Sequence, residues 1–358
     1  MVGLQSLGAR SASLARRGVL FGVAALGGAG VLTLAGCHRN EALTASRTPR
    51  LDMKRLDTEV AAIAQRAAPG ALGFALMNLE SGEFWVRLGD RAFPMQSVFK
   101  LPLGAAVLSE VDAGRLRLDE ILTIRAEDLS PSWSPIADAW PGRAAYSVQE
   151  LLAAAVGDSD NTAADLLMKH IGGPGVVSAW LQSKGITEVR VDRYEREVQP
   201  QVYGMASFRP AWKGDAAFDA AKATVTPAKR RAAMLAYMAD PRDSATPEGM
   251  LGLLRRLDQD ELVSPASTRR LLTLMVQTPR GGDRIKAGLP KTATFAHKPG
   301  TSGTDQGLNA AFNDVGIFTL ADRRSYAVAA FLTGSTATDA ERAALFADLG
   351  RTAARSVG

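Results

Sequence analysis

Cysteine occurs once in this 358-residue chain, at Cys37, and histidine only at His38, His170 and His297. A lone cysteine closes no internal disulfide, even in an oxidising compartment. Histidines this scattered, with no second cysteine, show no metal-ligand spacing, so neither structural zinc nor zinc-dependent hydrolysis is expected. Charge of one sign is scarce too: 42 basic and 37 acidic residues leave a formal +5. Arg10, Arg16 and Arg17 lie in a segment read below as removable, and without them the charge falls to +2. No basic footprint for nucleic acid remains. Internal repeats and low-complexity tracts are absent as well. What is present is an ordinary globular composition, 46% hydrophobic and 22% charged, in a chain long enough for one large core or two closely packed domains.

The N-terminus reads "SASLARRGVLFGVAALGGAGVLTLAGC", with paired arginines, a glycine- and alanine-rich apolar run, and Leu34-Ala35-Gly36-Cys37. This resembles a bacterial lipoprotein signal with a twin-arginine start. The resemblance implies export, lipidation of Cys37, and a place in the periplasm or cell envelope on a lipid anchor in the membrane. Because the run approaches spanning length, a single transmembrane anchor is the alternative. Residues 1–37 are thus assigned to the signal, and the polar stretch 38–50, "HRNEALTASRTPR", to a tether.

Beyond the tether, "LDMKRLDTEVAAIAQRA" spaces leucine, valine and isoleucine as an amphipathic helix does. "ALGFALMNLESGEFWVRLG" reads as two strands joined at Glu80-Ser81-Gly82. From Pro94 to about Pro279 the patterns are mostly helical; then "TFAHKPGTSG", "NDVGIFTL" and "SYAVAAFLTG" read as strands and "DAERAALFADLGRTAARS" as a closing helix. Strands flanking a helical insertion must meet in one sheet. The expectation is an α/β fold of the α+β type, with an antiparallel sheet of about five strands flanked by helices, plus an all-helical domain. The sheet part takes residues 51–93 and 280–358, and the helical part 94–279. Gln199 to Ala223 shows no clear periodicity and is expected to be a long loop, functional or mobile.

Three short motifs carry chemistry. Ser97 and Lys100, three apart at a helix start, share a face, so the amine can take or relay the hydroxyl proton. The helix N-terminus adds partial positive charge and free N–H groups for an oxyanion. At a break in the helical block, Ser159-Asp160-Asn161 offers a hydroxyl to protonate a leaving nitrogen and a carboxamide to hold lysine and substrate, although a plain helix cap has the same letters. Lys298, with Gly300 and Thr301, stands in "HKPGTSG", which by local propensity alone is a type II turn.

Taken in order, Ser97-x-x-Lys100, Ser159-Asp160-Asn161 and Lys298-x-Gly300-Thr301 resemble the motif set of the serine β-lactamases and penicillin-binding proteins, a known pattern. The likeness runs from about Leu51 to the C-terminus. "VDRYEREVQ" is similar to the class A β-lactamase loop that carries the deacylating carboxylate, and the enlarged loop, about 190–223, to an extended-spectrum subgroup. The resemblance implies these roles: Ser97 as nucleophile, Lys100 and Glu195 as proton-transfer groups, Ser159 as proton donor, and no cofactor. Glu195 and Gln199 would deliver water; Asn161 would hold Lys100 and the acyl side chain. Lys298, Thr301 and Arg284 would bind the substrate carboxylate, and Trp133 would pack on bound substrate at the rim. The expected product is a hydrolysed penicillin or cephalosporin, from a monomer acting on a small-molecule β-lactam.

Two departures stand out. Pro299 replaces the threonine whose hydroxyl helps bind the substrate carboxylate. Proline also lacks an N–H, which suits only a strand edge or a position facing a cleft. Arg196 replaces the proline that often follows the glutamate, so a trans bond there is expected. Two alternatives share the first three motifs: a D-alanyl-D-alanine carboxypeptidase of the penicillin-binding type, and a sensor lipoprotein that acylates once and keeps its ligand.

Overall fold

The computed structural model describes residues 50–357. The signal, Cys37 and the tether as far as residue 49 lie outside the described residues. Helix α1 (Met53–Arg66) starts where the Asp52 carboxylate accepts the Arg55 N–H, and it buries Leu56, Val60 and Ile63. Strands β1 (Ala71–Asn78) and β2 (Phe84–Arg87) form the expected hairpin. The helices that bear on the site then follow: α2 (Lys100–Asp112), α3 (Asn161–His170), α4 (Glu195–Val202), α5 (Asp215–Ala223), α6 (Pro227–Ala239), α7 (Pro247–Asp258) and α8 (Pro265–Val276). Strands β3 (Thr294–Thr301), β4 (Phe312–Thr319) and β5 (Ser325–Thr333) return to the sheet, and α9 (Asp339–Arg355) closes the chain behind a Thr338/Glu341 capping box.

The five strands pair antiparallel in the order β2-β1-β5-β4-β3, so the two ends of the chain share one sheet, as the pattern requires. Alternation along β1 divides its side chains between two layers. Leu72, Phe74 and Leu76 face α1 and α9 in one cluster with Phe318, Val328 and Phe346. Ala75 and Met77 join the other cluster, which continues without a break into Leu101, Leu253 and Leu271 of α2, α7 and α8. Both faces of β1, β4 and β5 are covered, which is why these three strands are apolar at most positions.

"HKPGT" is strand, and the turn that its proline and glycine favour locally does not form. β3 lies at the sheet edge and pairs only with β4, where Pro299 stands opposite Asp314. The missing N–H therefore costs no ladder bond to a second neighbour. Gly300 has a steric reason: a Cβ there would sit 2.4 Å from the Met95 carbonyl oxygen, so only glycine lets β3 pass so close to the turn before Ser97.

The stretch from Gln199 to Ala223 departs from the expected long loop. α4 runs on to Val202, Pro210–Trp212 forms a 3₁₀ turn, and α5 follows. Phe218, on α5, packs on Tyr203 of a third small cluster and on Phe208 of the large core, at ring-centroid distances of 6.2 and 6.5 Å. α5 is short and alanine-rich, and Phe218 is its one large apolar residue, so its periodicity is too weak to read. Three two-stranded ladders also escaped the sequence patterns, among them Phe93–Pro94 with Ser244–Ala245.

Candidate active site

A 3₁₀ turn, Gln96–Phe99, leads directly into α2, placing Ser97 one turn before Lys100. Lys100 is fully buried, and its ammonium lies at the centre of the constellation. Its Nζ donates to Ser97 Oγ at 3.2 Å, to the Ser159 carbonyl at 2.7 Å and to Asn161 Oδ1 at 2.5 Å, and sits 3.2 Å from Glu195 Oε1. A buried amine needs such partners, because an unpaired ion there would be costly.

Ser159 occupies a left-handed conformation, φ 65°, between a π-helical turn and α3. The helix-cap reading of Ser159-Asp160-Asn161 holds, and Ser159 and Asn161 in addition contact the two buried lysines. Asp160 is the cap of α3, accepting the Ala163 N–H at 2.8 Å, while also binding the Ser134 hydroxyl and the Ile136 N–H. Ser159, thrown outward by the break, receives the Lys298 ammonium on its Oγ at 2.9 Å. Burial, reinforced by the positive charge of Lys100, holds Lys298 well below the ordinary lysine range. Asn161 is anchored through its own N–H to the Trp133 carbonyl and through Nδ2 to the Pro131 carbonyl.

Glu195 opens α4 and is buried, 2% exposed. Its Oε2 accepts Gln199 Nε2 at 2.7 Å from the next turn of the helix. The bond to Arg196 is trans. What fixes this turn is Asp165, which the sequence reading missed. Fully buried on α3, it accepts the backbone N–H groups of Glu195 and Arg196 at 2.7 and 2.9 Å, and the Ser130 hydroxyl at 2.6 Å. Burial above all, and the Glu195 charge, push its carboxyl up to about 7 against the bonds from Ser130 and the two N–H groups. Its position was a usable signal: Asp165 lies four residues beyond Asn161, on the same helix face. The neck of the loop is pinned by a second missed pair, buried Arg193 on Asp243 at 2.5 Å.

Around Ser97 opens a cleft of about 430 Å³ lined by Ser159, Asn161, Gln199, Pro299, Thr301 and Arg284 among others. Trp133, 47% exposed, stands at its rim with the Arg280 guanidinium stacked on its ring at 3.9 Å. Arg284 is placed differently from a freely available carboxylate receptor. Its guanidinium lies over the Phe312 ring and donates to the Gly300 and Asn313 carbonyls and to Thr301 Oγ1. It therefore reaches the cleft chiefly through Thr301, and burial lowers its pKa. Seven of the residues singled out in the sequence, Ser97, Trp133, Ser159, Asn161, Gln199, Thr301 and Arg284, line this cleft, and Lys100, Glu195 and Lys298 are bonded to them from behind.

The model of the beta-lactamase enzyme family matches residues 55–357. The chain belongs to that family. Among curated relatives, the extended-spectrum β-lactamase PER-1 of Pseudomonas aeruginosa is 34% identical over 73% of this chain and 74% of its own. β-Lactamase VEB-1 of the same organism is 29% identical over 80% and 85%. Among solved structures, a β-lactamase from Chitinophaga pinensis covers 84% of this chain and 99% of its own, at 31% identity and TM-score 0.69. A reconstructed ancestral class A β-lactamase of Gram-negative bacteria covers 83% and 98%, at 33% identity and TM-score 0.68. This β-lactamase is a serine enzyme of class A, and its activity is hydrolysis of the β-lactam ring. Neither the carboxypeptidase nor the single-acylation sensor is favoured, since the family and these relatives are β-lactamases.

Proposed function

We propose that Ser97 attacks the lactam carbonyl while its proton passes to Lys100, which has first given its own proton to Glu195, or to a water held by Glu195. The observation that carries this is the position of Lys100 Nζ, 3.2 Å from both Ser97 Oγ and Glu195 Oε1. The Ser97 and Thr301 N–H groups stabilise the oxyanion. Ser159 protonates the departing nitrogen and is resupplied through Lys298, whose Nζ donates to its Oγ at 2.9 Å. Lys298 and Thr301 receive the substrate carboxylate, with Arg284 orienting the Thr301 hydroxyl; Asn161 and Trp133 hold the rest of the substrate. Glu195, oriented by Gln199, then delivers water to the acyl ester, which releases product and confers resistance to penicillins and cephalosporins.

Support for export comes from the sequence alone. Residues 1–37 would serve as a removable signal, Cys37 as the lipidated residue and residues 38–50 as the tether of a monomer in the periplasm or cell envelope. The chemistry is tested by mixing purified protein with a chromogenic cephalosporin. Many turnovers per enzyme are expected, and a burst that stops near one equivalent would overturn the hydrolytic reading. Glu195→Ala should trap an acyl-enzyme visible by mass spectrometry; continued hydrolysis at the parent rate would remove Glu195 from its role.

A further inference from the structure

The hydrogen bonds behind Glu195 do not end at Gln199. Its Nε2, which donates to Glu195 Oε2, also donates to Gln96 Oε1 at 2.8 Å, and Gln96 Nε2 donates to the Tyr237 hydroxyl oxygen at 2.7 Å. Tyr237 belongs to α6, beyond the enlarged loop, and is 4% exposed. We infer that Tyr237 and Gln96 are positioning residues for Glu195, orienting it through Gln199 by a hydrogen-bond line of fixed polarity. This rests on the role proposed above for Glu195.

The polarity follows from what each group can do. An ionised carboxylate only accepts, so Gln199 must turn its NH₂ toward Glu195. The second hydrogen of that NH₂ requires an acceptor, which obliges Gln96 to present its carbonyl. The Gln96 NH₂ then points the other way, onto a phenol oxygen. Burial raises the Tyr237 pKa, so the group stays a neutral hydroxyl that can accept there. Reversing any one amide would set oxygen against oxygen or nitrogen against nitrogen, which is most costly at Gln96 and Tyr237, both buried, whereas Gln199 lines the cleft. With Oε2 held, Oε1 is the oxygen left facing Lys100, and it has no other hydrogen-bond partner among the described residues.

Gln96 has a second attachment to the chemistry. It immediately precedes Ser97 and adopts φ 47°, a left-handed conformation that a non-glycine residue keeps only when its surroundings hold it. Its side chain is bonded at both ends, to Gln199 and to Tyr237. One residue therefore ties the nucleophile's turn to the helix that carries the water-activating carboxylate. α6, which touches no substrate in this account, anchors both.

The test separates the two chemical steps with a chromogenic cephalosporin. Tyr237→Phe keeps the ring and its packing and removes the hydroxyl alone. Deacylation should slow by about five- to tenfold, the effect of one buried hydrogen bond, so that acyl-enzyme accumulates at steady state in the mass spectrum. The acylation rate should stay within about twofold of the parent where Lys100 takes the Ser97 proton and fall with deacylation where the water held by Glu195 does; on either route Tyr237→Phe in a Gln199→Leu background should have little further effect, because the line is already cut. Unchanged deacylation in Tyr237→Phe, or a full additional loss in the Gln199→Leu background, would each overturn the inference. If Tyr237→Phe does not fold, Gln96→Met, similar in length but without the amide, carries the same expectation for deacylation. The Glu195→Ala variant distinguishes the two failures. If it traps acyl-enzyme while Tyr237→Phe deacylates normally, only the line is wrong; if it deacylates at the parent rate, the role of Glu195 falls and the line with it.

Discussion

Replacing Asp165 by asparagine should change how the protein's stability responds to pH. In the folded chain the carboxyl titrates near 7, against an ordinary value of 3.8, chiefly because it is buried. Between those two values the folded state holds a proton that the unfolded state has released. Stability therefore falls as pH rises across this window, and is lost fully only above the folded pKa. The gap of about three pH units corresponds to about 4 kcal/mol, of which about 2 to 3 kcal/mol falls between pH 5 and pH 7.5. Asparagine carries no such titration. It keeps one acceptor oxygen for the Glu195 or Arg196 N–H and loses the other, a constant cost of about 1 kcal/mol that does not vary with pH. The assay is equilibrium urea unfolding of both proteins at half-unit intervals from pH 5 to pH 7.5. The difference in unfolding free energy, variant minus parent, should rise by about 2 to 3 kcal/mol across the series. Titrating groups that do not interact with Asp165 are common to both proteins and cancel, which leaves Glu195, whose charge acts on Asp165. Parallel curves would refute the reasoning, since they would mean that Asp165 does not bind its proton more tightly when folded.

Two other perturbations address the departures noted in the sequence. Pro299→Thr adds a hydroxyl beside Thr301 and Arg284 at the sheet edge, and the KM for a penicillin should fall by about tenfold, the lower end of what one hydrogen bond to a charged group supplies. An unchanged KM would show that the proline has no part in carboxylate capture. Cys37→Ser should move the protein from the membrane pellet to the soluble fraction of fractionated cells, and retention in the pellet would favour the transmembrane anchor instead.

Much of the site was legible because its key pairs are local or ordered. Ser97 and Lys100 are one helical turn apart, and Asp160 caps the same helix that Asn161 opens, so spacing alone brings those groups together. Lys298 was legible only through the ordered motif set, since "HKPGTSG" by itself prefers a turn; the pairing with β4 makes it a strand. Asp165, Gln96 and Tyr237 were not read. Each is an ordinary polar residue in its own segment, and its significance comes from a partner 30, 103 or 141 positions away. Arg284 shows the limit differently: the sequence placed it correctly at the cleft, but not the carbonyls that engage its guanidinium.

The amino-acid sequence by itself determined the arrangement of helix, hairpin, helical block, three strands and helix, because hydrophobic period and capping residues act over a few positions. It also determined which chemistry was available, because the reactive side chains are few and ordered. The tertiary structure decided what those groups experience. Only packing makes Lys298 a poor base, lifts Asp165 toward neutrality and aligns two amides and a phenol behind Glu195, since desolvation and hydrogen-bond direction depend on neighbours that the chain supplies from far away.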